Sequence, residues 1–161
     1  MSVPDVAMAI QRVTHIGVCV SDLERSIRFY CDLLGFRYLS RIHIAGEPTD
    51  TLLALVGVDV QAAYLERDGV RLEMLAFASP PAEPLEPPRR MNHLGFTHLS
   101  IRVTELTDMV ERLRAQGVRV LDRTRIDIPA RGSAAVMITD PDGLWIELVE
   151  SPGDPTLPPH V

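Results

Sequence analysis

The sequence predicts an α+β fold built from two tandem βαβββ modules. Two repeated strings and a proline-rich connector carry that expectation. Val13-Thr14-His15-Ile16-Gly17-Val18-Cys19-Val20-Ser21-Asp22-Leu23 returns as Phe96-Thr97-His98-Leu99-Ser100-Ile101-Arg102-Val103-Thr104-Glu105-Leu106, and Asp68-Gly69-Val70-Arg71-Leu72-Glu73-Met74-Leu75 returns as Asp142-Gly143-Leu144-Trp145-Ile146-Glu147-Leu148-Val149. A period of about 80 residues is too long for a solenoid and reads as a duplicated supersecondary unit. Between the copies, Ser79 to Arg90 holds five prolines in twelve residues, which excludes helix and central strand and leaves an extended connector.

Each element follows from local pattern. Residues 13–20 alternate in the strand sense, with Thr14, Ile16, Val18 and Val20 on one side and Val13, His15, Gly17 and Cys19 on the other. Ser21-Asp22-Leu23-Glu24 has the form of a capping box, and Leu23, Ile27, Tyr30 and Leu34 recur at helical spacing up to a stop at Gly35. Phe36-Arg37-Tyr38-Leu39 starts the next strand, and further strands are expected over 51–56, 60–67 and 70–77. In the second copy Thr104 is the expected cap, Leu106, Val110 and Leu113 form the stripe, and Gly117 is the stop before Val118-Arg119-Val120-Leu121. Strands over 133–139 and 143–150 complete it. Asp68-Gly69 and Asp142-Gly143 lie between strand-like runs, a strong hairpin signal. The organisation expected is a single domain, 1–161, with modules at 12–78 and 93–150, a connector at 79–92 and a proline-rich tail at 151–161.

Composition bounds the function. The chain has 161 residues, 46% hydrophobic and 24% charged, the profile of one soluble domain with a sizeable core. A net charge of −6 argues against nucleic acid or an anionic membrane as partner, and no apolar run approaches the ~18 residues that span a bilayer. Asp5 stands where a signal peptide carries basic residues, so the expected location is the cytoplasm. No lysine is present, which excludes Schiff-base and P-loop chemistry. Cys19 and Cys31 lack metal or redox spacing and read as ordinary buried thiols.

Strand alternation places the histidines and glutamates. His15 shares a face with Gly17 and Cys19, and His98 shares one with Phe96, Ser100 and Arg102. Glu73 and Glu147 lie opposite the flanking Leu72, Met74, Ile146 and Leu148. All four point away from the face that packs on the helices. A carboxylate in an apolar strand is costly to bury unless it is paired or binds a metal. Symmetry therefore predicts a His2Glu2 centre of His15, Glu73, His98 and Glu147 where the halves meet, in a cup formed if each half-sheet curves. Arg102 should project into that cup, and Arg131 is a candidate anion anchor, since guanidinium binds carboxylate or phosphate bidentately. Trp145, Phe96 and Leu75 would line its apolar wall.

Thr14-His15-Ile16-Gly17-Val18, the run Ser21-Asp22-Leu23-Glu24-Arg25-Ser26-Ile27-Arg28-Phe29-Tyr30 with Leu34-Gly35-Phe36, and Asp140-Pro141-Asp142-Gly143-Leu144-Trp145-Ile146-Glu147-Leu148-Val149 resemble the vicinal oxygen chelate superfamily, over about residues 12–150. That superfamily includes glyoxalase I, methylmalonyl-CoA epimerase, extradiol dioxygenases, fosfomycin-resistance enzymes and bleomycin-binding proteins. The resemblance implies paired half-sheets forming a cup around one divalent metal (Ni, Co, Zn, Mn or Fe) held by His15, Glu73, His98 and Glu147. It also implies a homodimer and a small-molecule substrate. Four ligands resemble the glyoxalase I and epimerase patterns; the dioxygenases use two histidines and one glutamate. Cys19 departs from glyoxalase I, where an arginine at this place holds the glutathione carboxylate.

The function expected is a metal-dependent lyase, isomerase or epimerase acting through the enolate or enediolate of a small carbonyl compound. Glu147 first, and Glu73 second, would move the proton, and Arg102, Arg131 and Trp145 would contact substrate. The alternatives are a ring-cleaving dioxygenase and a non-catalytic small-molecule binding or resistance protein.

Overall fold

The structure, a computed structural model, describes residues 9–84 and 90–159. The centre of the connector (85–89), His160 and the first eight residues lie outside them. The chain divides into two compact units, Met1–Ala82 and Glu83–Val161. Each contains one four-stranded sheet and one principal helix, so two tandem βαβββ-like modules are present.

In the first unit the order is β1 (Ile16–Cys19), α1 (Leu23–Arg28), β2 (Arg37–Ala45), α2 (Glu47–Leu53), β3 (Asp59–Arg67) and β4 (Val70–Ser79). The sheet runs β1-β4-β3-β2, with β1 parallel to β4 and the other pairs antiparallel. Asp68 and Gly69, at φ of 50° and 80°, make the tight β3–β4 turn that their sequence announces. Asp22 caps α1 by accepting from the Arg25 amide at 2.9 Å, while Ser21 Oγ accepts instead from the Arg25 guanidinium at 2.8 Å. The cap therefore falls one residue later than the capping box predicts. A π-helical turn, Phe29–Leu33, follows α1. Its extra residue rotates the apolar stripe, so Phe29 and Tyr30 are both buried and Leu34 closes the same face.

Residues 51–56 do not form the expected strand. Pro48 sits in the first turn of α2, which ends at a left-handed Ala54. The apolar run that imitates a strand leaves Leu52 and Val56 largely exposed. Leu65, Leu72 and Met74 face α1 and are almost wholly buried, each worth roughly 1.5–3 kcal/mol relative to exposure.

The second unit repeats the scheme with β5 (Leu99–Arg102), α3 (Leu106–Ala115), β6 (Val120–Ile128), β7 (Ser133–Thr139) and β8 (Trp145–Glu150), ordered β5-β8-β7-β6. Leu106, Val110 and Leu113 are the buried stripe of α3, as their spacing predicts. Thr104 is not its cap. Glu105 takes that place in a left-handed conformation, and the carboxylate of Glu150 on β8 accepts from the Glu105 and Leu106 amides at 3.0 and 3.2 Å. A tertiary contact thus supplies the oxygen that the residue at the cap position does not. Asp140 is buried and orders the β7–β8 turn by accepting from the Asp142 and Leu144 amides at 2.9 and 2.8 Å. No helix among the described residues is long and apolar enough to cross a membrane.

Candidate functional site

Register builds the first half-site. Glu73 on β4 stands between Gly17 of β1 and Tyr64 of β3, so these three share one face of the sheet. His15, immediately before β1, alternates with Gly17 onto that face. Its Nε2 lies 3.0 Å from Glu73 Oε2, and its Nδ1 lies 3.1 Å from Thr14 Oγ1. The Tyr64 hydroxyl donates to Glu73 Oε1 at 2.5 Å, and its ring meets the His15 imidazole edge-on with centroids 5.6 Å apart. That hydrogen bond, with burial second, pushes the Tyr64 phenol up to about 12. The Glu73 side chain is only 12% exposed.

The second half-site has the same plan. Glu147 on β8 stands between Ser100 of β5 and Met137 of β7. His98 precedes β5 as His15 precedes β1. Its Nδ1 lies 2.9 Å from Thr97 Oγ1, and its Nε2 lies 3.8 Å from Glu147 Oε2. Ser100 Oγ donates to the same Glu147 oxygen at 2.6 Å.

In both halves a threonine hydroxyl occupies Nδ1 and leaves Nε2 facing the carboxylate. A hydroxyl suits this task in either state, donating to Nδ1 when Nε2 carries the proton and accepting from Nδ1–H when Nε2 must offer a lone pair. The donor set fits a divalent ion. Adjacent ligands of an octahedral ion at about 2.1 Å stand about 3 Å apart, which is the His15–Glu73 separation; the His98–Glu147 pair needs a sub-ångström approach to match it. Each unit supplies one such pair, and among the described residues no group of three or more His, Cys, Asp or Glu side chains is assembled.

Beside Glu147 lies a cavity of about 270 Å³ within the second unit, lined by Ile126, Ala135, Met137 and Trp145 together with Thr124. Thr124 Oγ1 is committed to the backbone of Leu121 and Met137, at 2.7 and 2.9 Å. Glu147 therefore supplies the charge in this lining. Trp145 is one of the apolar residues of this lining.

Arg102, Arg131 and Phe96 do not line this cavity. Arg102 directs its guanidinium at five main-chain carbonyls of the tail, those of Ser151, Pro152, Gly153, Asp154 and Leu157, at 2.5 to 3.5 Å. Arg131 ends a short 3-10 turn, Pro129–Arg131, and its carbonyl accepts from Ser133 Oγ. Phe96 is 80% exposed ahead of β5. The sequence reading omits Tyr64 as a site residue and gives no task to Ser100 or to the two threonines. Thr14-His15 and Thr97-His98 are repeated in the sequence, so that signal was present; Tyr64 has no counterpart in the repeat.

The sequence matches a known family. The model of the glyoxalase, bleomycin resistance protein and dioxygenase superfamily matches residues 12–148, and the chain belongs to that superfamily. Among its relatives, the uncharacterised protein YaeR of Escherichia coli is 29% identical over 143 residues, covering 89% of this chain and 98% of that one. A lactoylglutathione lyase of Salmonella typhimurium is 26% identical over 145 residues, covering 87% of this chain and 93% of the enzyme. The crystal structure of a glyoxalase family protein from Bacillus cereus shares the fold with a TM-score of 0.76 at 22% identity, covering 89% of this chain and 96% of that one.

Proposed function

We propose that the protein is a divalent-metal-dependent lyase, isomerase or epimerase of a small carbonyl compound. His15, Glu73, His98 and Glu147 would be the metal ligands, supplied by one chain or by two copies in a dimer. The observation that carries this reading is the matched pair of half-sites, each with Nδ1 held by threonine and Nε2 turned to a glutamate that a hydroxyl steadies. A divalent ion there would supply Lewis acidity that stabilises the enolate or enediolate developing on a substrate oxygen.

The chain's own groups supply the rest. Glu147 opens on the apolar cavity and is the base that removes a proton from carbon next to the carbonyl. Returning it to the neighbouring carbon isomerises, and returning it to the other face of the same carbon epimerises. Ser100 holds the carboxylate at hydrogen-bond length while it acts. Ile126, Met137 and Trp145 keep water from the reacting carbon and receive its apolar substituent. The likeness to a lactoylglutathione lyase supports this class of reaction.

The apolar cavity also favours a second reading, a protein that sequesters a small molecule without turnover. Elemental analysis separates the two. About one divalent ion per chain, lost in a His15→Ala/Glu147→Ala double variant, supports the enzyme, as does solvent-deuterium exchange into a carbonyl substrate. A metal-free wild type that stays metal-free after reconstitution removes the enzyme reading and leaves sequestration.

A further inference from the structure

We propose that Tyr64 is a positioning residue for Glu73, doing from β3 what Ser100 does for Glu147 from β5, and that a hydroxyl placed at Gly17 can take over its task. The inference rests on register. In each sheet the glutamate has two neighbours on its own face, one from the parallel edge strand and one from the antiparallel inner strand. For Glu73 these are Gly17 and Tyr64; for Glu147 they are Ser100 and Met137. In each half one neighbour carries a hydroxyl and the other none, and the side that carries it is exchanged between the copies.

The two hydroxyls reach their carboxylates at nearly equal length, 2.5 Å from Tyr64 and 2.6 Å from Ser100. A tyrosine on the inner strand also touches the other member of the pair, since its ring lies against His15. Tyr64 thus fixes both groups of the first half-site, whereas Ser100 fixes one group of the second. Space for the exchange exists. A Cβ built at Gly17 meets nothing closer than Leu75 Cδ1 at 3.7 Å, an ordinary contact, and Gly17 has no positive φ.

A hydrogen-bond partner that orients a ligand typically changes metal affinity 10–100-fold. The experiment is a cobalt(II) titration of the metal-free full chain against a chelating dye, in wild type, Tyr64→Phe, Gly17→Ser and Gly17→Ser/Tyr64→Phe. Phenylalanine keeps the ring that packs on His15, so circular dichroism should show the fold retained. Expected are a roughly 10–100-fold weakening in Tyr64→Phe, little change in Gly17→Ser, and recovery of most of the loss in the double variant. Unchanged affinity in Tyr64→Phe, or a loss that the serine does not repair, overturns the proposal.

This readout rests on the metal-centre reading, so a second one stands apart from it. In metal-free protein the carboxyl carbon resonance of Glu73 should move in Tyr64→Phe and return toward its original position in the double variant. A wild type that binds no cobalt sinks the metal centre while this resonance still decides the role of Tyr64. A resonance indifferent to both substitutions sinks that role.

Discussion

Glu73 and Glu147 occupy the same place in two copies of one module, yet their surroundings differ. Glu73 lies under a tyrosine, 12% exposed, with its histidine at 3.0 Å. Glu147 is 21% exposed, its histidine stands at 3.8 Å, and methionine takes the place of the tyrosine. Supplying the hydroxyl from the edge strand in the second unit leaves the inner-strand side free, and there the cavity opens. Duplication provides two similar half-sites; exchanging one hydroxyl between strands puts a tyrosine over one glutamate and leaves a cavity beside the other.

The largest expected difference is chemical. Glu147→Gln should lower turnover about 10²–10⁴-fold with metal retained, the usual contribution of a positioned base. Glu73→Gln should act mainly through metal content. Parallel measurement of solvent-proton exchange and bound metal separates the two. Equal metal loss in both variants would break the division of labour.

In their cores the two units should behave alike. Met74 and Leu148 are fully buried next to the respective glutamates, so each change to alanine should cost about 2–5 kcal/mol in urea unfolding. A much smaller cost in one would show that its unit is less tightly packed.

Helix capping should separate them again. Asp22→Ala should cost about 1 kcal/mol, the usual value of a local cap. Glu150→Ala should cost more, about 1.5–3 kcal/mol, because a charged acceptor serves two amides from a distant strand. Chemical denaturation read by circular dichroism tests the order of the two.

The smallest effect concerns acid. Arg71 and then Arg37 hold Glu66 below its ordinary value of 4.5, and Arg114 holds Asp122 below 3.8. A lowered folded value means that the unfolded chain binds more protons, so these pairs stabilise fully at neutral pH. That contribution disappears as pH falls through the lowered values. Glu66→Gln and Asp122→Asn should each flatten the decline of melting temperature between neutrality and about pH 3, slightly, because the Asp122 pair faces solvent and the Glu66 pair is only partly buried.

Sequence reading reached the parts that repetition or periodicity carries. The α3 stripe, the Asp68-Gly69 turn and the outward placement of the four histidines and glutamates could all be read from pattern. It failed once where local breakers outweigh an apolar run and once where a distant residue decides. Residues 51–56 look like a strand because leucine and valine cluster there, but Gly46, Pro48 and the left-handed Ala54 delimit a helix that leaves them exposed. Thr104 has the right chemistry for a cap, and Glu150, more than forty residues away, does the work. Tyr64 escaped for the opposite reason: comparing the copies highlights what they share, and its importance lies in breaking the likeness.

The five carbonyls gathered by Arg102 have a consequence for the tail's evolution. A guanidinium only donates, so what it asks of the segment from Ser151 to Leu157 is acceptors, and every peptide unit has one whatever its side chain. Proline, which lacks an amide proton, loses nothing here; the carbonyl of Pro152 is itself among the five. Arg102 recognises the segment by its skeleton, so this contact sets no demand on side chains; those of Asp154, which accepts from Thr156, and Ser151, which meets Ser133, answer to other partners.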